Sequence, residues 1–392
     1  MKKVLILANK IPYPSKDGSS IAMARMLESL LKIDGINITY GALNTVKHRK
    51  DIKDFPKAIL DKIIFVSFEV DTSPNIISGV RNLLFSSRPY NAIRFFVKSM
   101  REWLLDFDDD SFDYVIIEGA FMGDYLPIAK RKGKQVILRS HNLEHVIWER
   151  TADHIGDPFR KLYFNIQANR LKSFEKNLTR QSDSIWSISP IDGAWFKALN
   201  KHTHHIPVAV EDGLPVKTIS PMRCFHLGAL DWKPNLQGIE WFLNQVWPLV
   251  IDMRPEAEFH IAGNNTPKHI KTQPHRKITV HGRVSNAEAF SKSHGISVIP
   301  LLSGSGIRIK LLENARIAIP VISTTVGAEG VYNHSFSMIP LADKPLDFAH
   351  KLVDLLDHPE KAKKIGLSLQ NDIMTTYSMP STLKLIDSAW PL

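Results

Sequence analysis

The chain is 392 residues long, with 44% hydrophobic and 23% charged side chains and a formal net charge of +10. That length predicts two soluble domains, each with its own core. A single cysteine excludes an internal disulfide framework and any cysteine-based metal cluster, and the positive balance favours an anionic partner: nucleotide phosphates, an anionic lipid surface or nucleic acid.

No apolar run approaches the ~20 residues needed to span a bilayer, and the stretch after Met1-Lys2-Lys3 is too short for a secretory signal. A cytoplasmic protein, at most peripheral on the inner face of the membrane, is expected. Residues 4–8 predict a buried parallel strand. A Pro- and Gly-containing loop then leads into a helix through Leu31, with Ile21, Met23, Met26, Leu27 and Leu30 on its packed face. Residues 36–42 and 63–68 predict further strands. Residues 90–105 predict one helix, with Ile93, Phe96, Val97, Met100 and Leu104 on one side and Arg94, Lys98 and Arg101 on another. Such a basic amphipathic helix suits an anionic membrane surface, or simply a core-facing helix with a solvated side.

Residues 106–110 contain an Asp-x-Asp, but their position before the strand at 114–118 reads as an exposed loop rather than a metal site. The strand at 135–139 runs into Ser140-His141-Asn142-Leu143-Glu144. In open α/β sheets ligands lie beyond the carboxyl ends of strands, so His141 stands where chemistry is expected. A long basic helix at 159–178 and a strand at 184–189 follow. His202, His204 and His205 fall in a short loop with no carboxylate or cysteine beside them, and are not read as metal ligands.

Residues 211–221, with Gly213, Pro215 and Pro221, read as a linker. A second series of strands is expected at 223–228, 258–262, 278–280, 296–301 and 321–325, alternating with helices and so arguing for another parallel sheet. Helices at 346–356, 359–375 and 381–389 complete the chain. The triplet Gly304-Ser305-Gly306 follows one of these strands and is expected to open a helix carrying Arg308, Lys310 and Glu313. Glycines let backbone approach an anion, and a helix start presents unpaired N–H groups. Lys310 and Glu313 are three apart and share a helix face. One suits a phosphate and the other sugar hydroxyls, which is the chemistry of holding a nucleoside diphosphate.

The stretch 304–329 resembles the donor-binding segment of retaining GT-B-fold glycosyltransferases of family 4, also called glycosyl transferases group 1. Its pattern is Glu-x7-Glu followed by Gly-x-Pro-Val-Val-(Ser/Thr)-x-x-x-Gly-x-x-Glu. Glu313 matches the second Glu, and Pro320, Val321, Ser323, Gly327 and Glu329 continue it; Ser305 replaces the first Glu and Ala318 the first Gly. The resemblance implies an α/β fold of two Rossmann-like domains facing across a cleft. Residues 1–210 would be the acceptor domain, 211–375 the donor domain, and 376–392 a tail crossing back. It implies transfer of a sugar from a nucleotide-sugar, with retention and without a metal or other cofactor, to a glycan or lipid-linked hydroxyl acceptor. Lys310, Arg308 and the backbone of 304–307 (Gly304, Ser305, Gly306) would grip the diphosphate, Glu313 the ribose, and His141 would orient the sugar, with backbone near Glu329 assisting. Gly18 and Ser19 match the loop after the first strand, Lys233 stands near a phosphate-binding lysine, and Arg283 matches the nucleobase-lining segment. An epimerase or phosphorylase on the same scaffold is the alternative reading. Nucleic-acid binding is not favoured, because the basic residues are spread over several helices.

Overall fold

The computed structural model describes residues 1–216, 218–272, 277–331 and 333–390. Lys217, within the expected linker, and Pro391 and Leu392, within the expected tail, lie outside the described residues. The chain divides into two units, Met1–Ala209 with Thr382–Leu392, and Val210–Ser381.

The first unit is built on seven parallel strands: β1 (Lys2–Ala8), β2 (Ile36–Thr45), β3 (Ile63–Val70), β4 (Phe112–Glu118), β5 (Gly133–Ser140), β6 (Ser184–Ser187) and β7 (Thr203–His205). Their spatial order is β3-β2-β1-β4-β5-β6-β7. Alternate residues of a strand point to opposite faces. Val4, Ile6 and Ala8 of β1 therefore pack with Met23, Leu27 and Trp186 on one side, while Leu5 and Leu7 pack with Leu43, Met100 and Val115 on the other. Burial on both faces explains why the strands read as continuous apolar runs. The helix Gly18–Leu30 starts at a capping box: Asp17 accepts from Ser20 N at 3.0 Å, and Ser20 Oγ accepts from Asp17 N at 3.1 Å. Trp390 closes one face, its ring 4.6 Å from Tyr114 and 5.5 Å from Trp186.

Two local expectations are corrected. Residues 90–105 are two helices, Tyr90–Arg94 and Lys98–Leu105, rather than one. The Tyr125 hydroxyl donates to Phe95 O at 3.1 Å and accepts from Val97 N at 2.7 Å, taking backbone groups that a continuous helix needs. Met100 and Leu104 are buried as read, but Phe96 is 38% exposed. His204 and His205 lie on β7 rather than in a loop, because β6 supplies pairing partners for them.

The second unit carries β8 (Arg223–Leu227), β9 (Glu258–Ala262), β10 (Ile278–Gly282), β11 (Ile296–Ile299) and β12 (Val321–Ser323), all parallel, in the order β10-β9-β8-β11-β12. Cys224, Phe259, Ile261, Val298 and Ile322 form its core with Phe242, Trp247 and Phe348. Ala318 adopts φ +59°, in the left-handed region that glycine occupies without strain. This is the position where the resembling pattern carries Gly.

Candidate active site

In the second unit the strand order reverses between β8 and β11, the topological switch point at which open α/β sheets bind ligands. Gly228 lies just past β8, and the loop 302–308 leaves β11. Lys310 reaches back to this point. Its Nζ donates to Asn235 Oδ1 at 2.9 Å and lies 3.2 Å from His226 Nε2. A Cβ at position 228 would come within 2.6 Å of that Nζ, so a side chain there would displace the amine. His226 Nδ1 faces Val298 O at 3.0 Å and carries the ring proton, which leaves Nε2 as the acceptor for Lys310. Burial, then the Lys310 charge, hold His226 far below the usual imidazole range, so it is neutral. Burial, then the nearby Arg308 charge, lower the Lys310 ammonium to about 7. An incoming anion would meet a cation that is only partly protonated at neutral pH.

The glycine loop is shaped from beneath. Gly304 and Gly306 have φ of +136° and +77°. Arg308 is 4% exposed and turns inward, donating to the carbonyls of Ser305, Gly306 and Val326. A Cβ on Gly304 would approach Arg308 Nη2 to 2.6 Å. Arg308 therefore holds the loop instead of presenting its guanidinium outward, which corrects the expectation that it grips phosphate directly. The helix also begins later than expected, at Ile309 rather than at the triplet. Ser305, at the first-Glu position of the pattern, is buried.

Glu313 accepts from Arg316 Nε at 2.8 Å, and Arg316 Nη2 also bonds Glu288 Oε2 at 2.7 Å. One carboxylate oxygen of Glu313 is thus committed to a bridge between two helices. Glu329 is partly exposed at the end of the helix Thr325–Ala328. Lys233 is the exposed first residue of the helix Lys233–Trp241, two positions before Asn235. Arg283 is exposed directly after β10. The structure therefore gathers the 304–306 loop, Arg308 and Lys310, with Gly228, His226 and Asn235, at one switch point. The sequence reading missed His226 and Asn235 as partners; the lowered lysine pKa follows from their burial around it.

The first unit has its own switch point, between β1 and β4. Gly18 and Ser19 form the first turn of the helix that follows β1. Ser19 Oγ lies 3.4 Å from His141 Nδ1. His141 Nε2 meets Glu118 Oε2 at 2.6 Å, and Arg139 Nη1 bonds Glu118 at 2.9 and 3.2 Å. Glu118 and Arg139 face each other because β4 and β5 pair them in register. Burial pushes the Glu118 carboxyl up, but Arg139 and His141 outweigh it and hold it below the usual range. Burial keeps His141 below the usual imidazole range against the pull of Glu118. The proton sits on Nε2, toward the carboxylate, and Nδ1 is left as an acceptor toward Ser19. Burial, then the Glu175 charge, raise Glu144 to about 7; Glu175 itself accepts the backbone N–H groups of Glu144 and His145 at 2.8 and 3.1 Å.

Residues 221–358, which contain β8 to β12 and the whole glycine-loop constellation, match the family described as Glycosyl transferases group 1. The carboxy-terminal unit belongs to the group 1 glycosyltransferases. This glycosyltransferase is also 24% identical to an uncharacterised 44.6 kDa protein in the cps region of Klebsiella pneumoniae, over 96% of this chain and 97% of that one. Its fold matches TarM of S. aureus, solved as a mutant with fondaparinux, alpha-GlcNAc-glycerol and UDP. That match has a TM-score of 0.69 and 11% identity, and covers 100% of both chains. It also matches the pneumococcal O-GlcNAc transferase GtfA, in complex with UDP and GlcNAc, at TM-score 0.62 and 11% identity over 99% and 98% of the chains. HepE of Anabaena, with UDP and glucose, gives a TM-score of 0.61 at 11% identity over 99% of each chain. The two parallel sheets are those of the GT-B fold. The epimerase, phosphorylase and nucleic-acid alternatives give way to the family match.

Proposed function

We propose that this glycosyltransferase moves a sugar from a uridine diphosphate sugar to a hydroxyl of a cell-envelope polysaccharide or its lipid-linked precursor, with retention of configuration and without a metal. The observation that carries the reading is the Lys310 amine at the β8/β11 switch point, held beside Gly228 by Asn235 and His226. Glycosyl transfer expels a nucleoside diphosphate, and charge grows on its β-phosphate as the glycosidic bond breaks. A cation fixed in advance stabilises that charge without reorganising at the moment of reaction. Glu313 offers its second oxygen to the ribose. His141 and Ser19 offer hydrogen bonds to a sugar hydroxyl. The uracil preference is supported by TarM, HepE and GtfA, each solved with UDP, and the acceptor class by the cps-region relative.

Thermal denaturation with uridine, guanosine, adenosine and thymidine diphosphate sugars tests this. A uridine sugar at about 100 times its Kd should stabilise by about 2.7 kcal/mol. Stabilisation by none of them would remove the donor assignment.

A pH dependence follows from Lys310. Its free-state pKa is lowered to about 7, and a bound diphosphate favours the charged form, so binding takes up a proton above that pH. Affinity for UDP should fall as pH rises from 7 to 9, by up to about tenfold per unit, a range in which phosphate (second pKa about 6) is already ionised. Calorimetry in buffers of different ionisation enthalpy reads the proton uptake directly. Lys310→Met should abolish it.

No helix among the described residues is long and apolar enough to cross a membrane. The structure instead offers a surface helix, Ile76–Phe85, whose buried residues are Gly79 and Asn82. Asn82 is buried and bonds Gln167 Nε2 at 3.0 Å, while Ile76, Ile77, Leu84 and Phe85 are 86, 79, 68 and 82% exposed. Phe159 and Leu162 add exposed apolar area at the start of the packed helix Pro158–Gln181, beside exposed Arg81, Arg160 and Lys161. This arrangement suits shallow insertion among anionic lipids. Replacing Ile77, Leu84 and Phe85 together by Glu should abolish co-sedimentation with phosphatidylglycerol vesicles; undiminished co-sedimentation would discard this surface.

A further inference from the structure

Three histidines that the reaction does not use meet on one face of the second unit's sheet. His260 is on β9, His281 on the edge strand β10, and His294 ends the helix Ala287–His294. They are 21 and 13 residues apart, so no spacing in the sequence announces them. Phe259 and Ile261 point to the opposite face and its core, which leaves His260 on this side. The β9/β10 register pairs Thr279 with His260 and shifts between Val280 and Gly282, so His281 stands outside the regular pairing. His294 is held by its own helix and by Phe290, whose ring stacks on it at 4.2 Å.

The geometry is that of a ligand set. His260 Nδ1 lies 3.0 Å from His281 Nε2, and one ring nitrogen from each of the three lies within 4.8 Å of the others. His294 Nδ1 faces Phe290 O at 2.7 Å, which fixes its proton on Nδ1 and leaves Nε2 with a lone pair. His260 is 8% exposed, and its Nε2 has no hydrogen-bond partner among the described residues. The nearest carboxylate oxygen, Glu258 Oε2, is 3.5 Å away and already accepts from Arg223 Nε at 2.9 Å.

We propose that His260, His281 and His294 bind one divalent transition-metal ion of the Zn²⁺ class, with water in the fourth position. Three imidazoles without thiolate or carboxylate select Zn²⁺, Co²⁺ or Ni²⁺ over Mg²⁺ and Ca²⁺, which take oxygen ligands. Metal–nitrogen bonds of about 2.0–2.1 Å bring ligand nitrogens to about 3.4 Å apart in a tetrahedron. The closest pair is near that already, and rotation of the exposed His281 ring draws in the wider side. Bound there, the ion ties the edge strand β10 to β9 and to the helix behind it. It would also fix the Gly282–Arg283 turn that leaves β10.

The test is calorimetric titration of chelator-treated full-length protein with Zn²⁺, repeated with Co²⁺ and read by its visible d–d absorption. One equivalent should bind, with the intense absorption of tetrahedral Co²⁺ and a rise in Tm. His281→Gln, at an exposed position, should weaken binding at least about tenfold and abolish the Co²⁺ signal. His294→Gln should do the same. A His202→Gln/His204→Gln control should bind as the parent does. Far-UV circular dichroism checks each fold, and if His294→Gln unfolds, His281→Gln alone decides. No stoichiometric binding, binding unchanged in His281→Gln, or binding lost in the control variant would each overturn the proposal.

Discussion

Lys310→Met is expected to lower kcat/KM by about 10²–10³-fold, mostly in kcat, with a smaller loss of UDP affinity. The split follows from where the charge appears. In the ground state the oxygen that joins the β-phosphate to the sugar is an uncharged ester oxygen; as its bond to the sugar carbon breaks, the bonding electron pair stays on it and adds negative charge to the β-phosphate facing Lys310 Nζ. The methionine keeps the length of the stem and leaves Asn235 and His226 in place, so the loss reports the cation rather than a collapsed pocket. Lys310→Arg should not rescue it. The amine sits against the backbone of Gly228, where a Cβ would already be 2.6 Å away, and a planar guanidinium is too large for that space. Steady-state kinetics with a saturating UDP-sugar separate the cases. A Lys310→Met enzyme with parental kcat would pass the phosphate role to another residue.

Glu118→Ala is expected to destabilise the first unit by about 3–5 kcal/mol, the largest stability effect predicted for a single side chain here. Glu118 is 1% exposed and Arg139 is not exposed at all. Removing the carboxylate leaves a buried guanidinium without its counter-ion and deprives His141 Nε2 of its acceptor. Urea denaturation reads the loss; a cost under about 1 kcal/mol would mean that water reaches the pair. The same pair makes the unit acid-labile. Glu118 is held below its ordinary value, so its stabilisation is present above the unfolded pKa, near 4.5, and is lost as pH falls through the folded value. His141 is also lowered, so the unfolded chain binds its proton first, and stability begins to fall as pH drops below about 6.5. Both act in one direction. In Glu118→Ala the carboxylate contribution to acid lability should vanish.

The strands were legible because most are buried on both faces and read as short apolar runs. The residues 258–262 expected for one of them are the bounds of β9 itself. The break at 95–97 was not legible, because its cause is a tyrosine hydroxyl about 30 residues further on. Arg308 and Lys310 look alike in sequence, two cations two positions apart. Only the fold decides that Arg308 meets the carbonyls of its own loop while Lys310 crosses to Asn235. Glu118 and Arg139 are 21 positions apart and become partners only once β4 and β5 are known to be neighbours. Lys310 is singled out by type and position, but the depression of its pKa to about 7 depends on burial that no local pattern records.

The central claim is that the Lys310 amine and the 304–306 loop together hold a nucleoside diphosphate. A crystal structure with UDP tests it most directly. The account predicts the β-phosphate within hydrogen-bond distance of Lys310 Nζ and against the backbone of Gly304 to Gly306. A diphosphate bound away from that lysine, with the loop left empty, would contradict it.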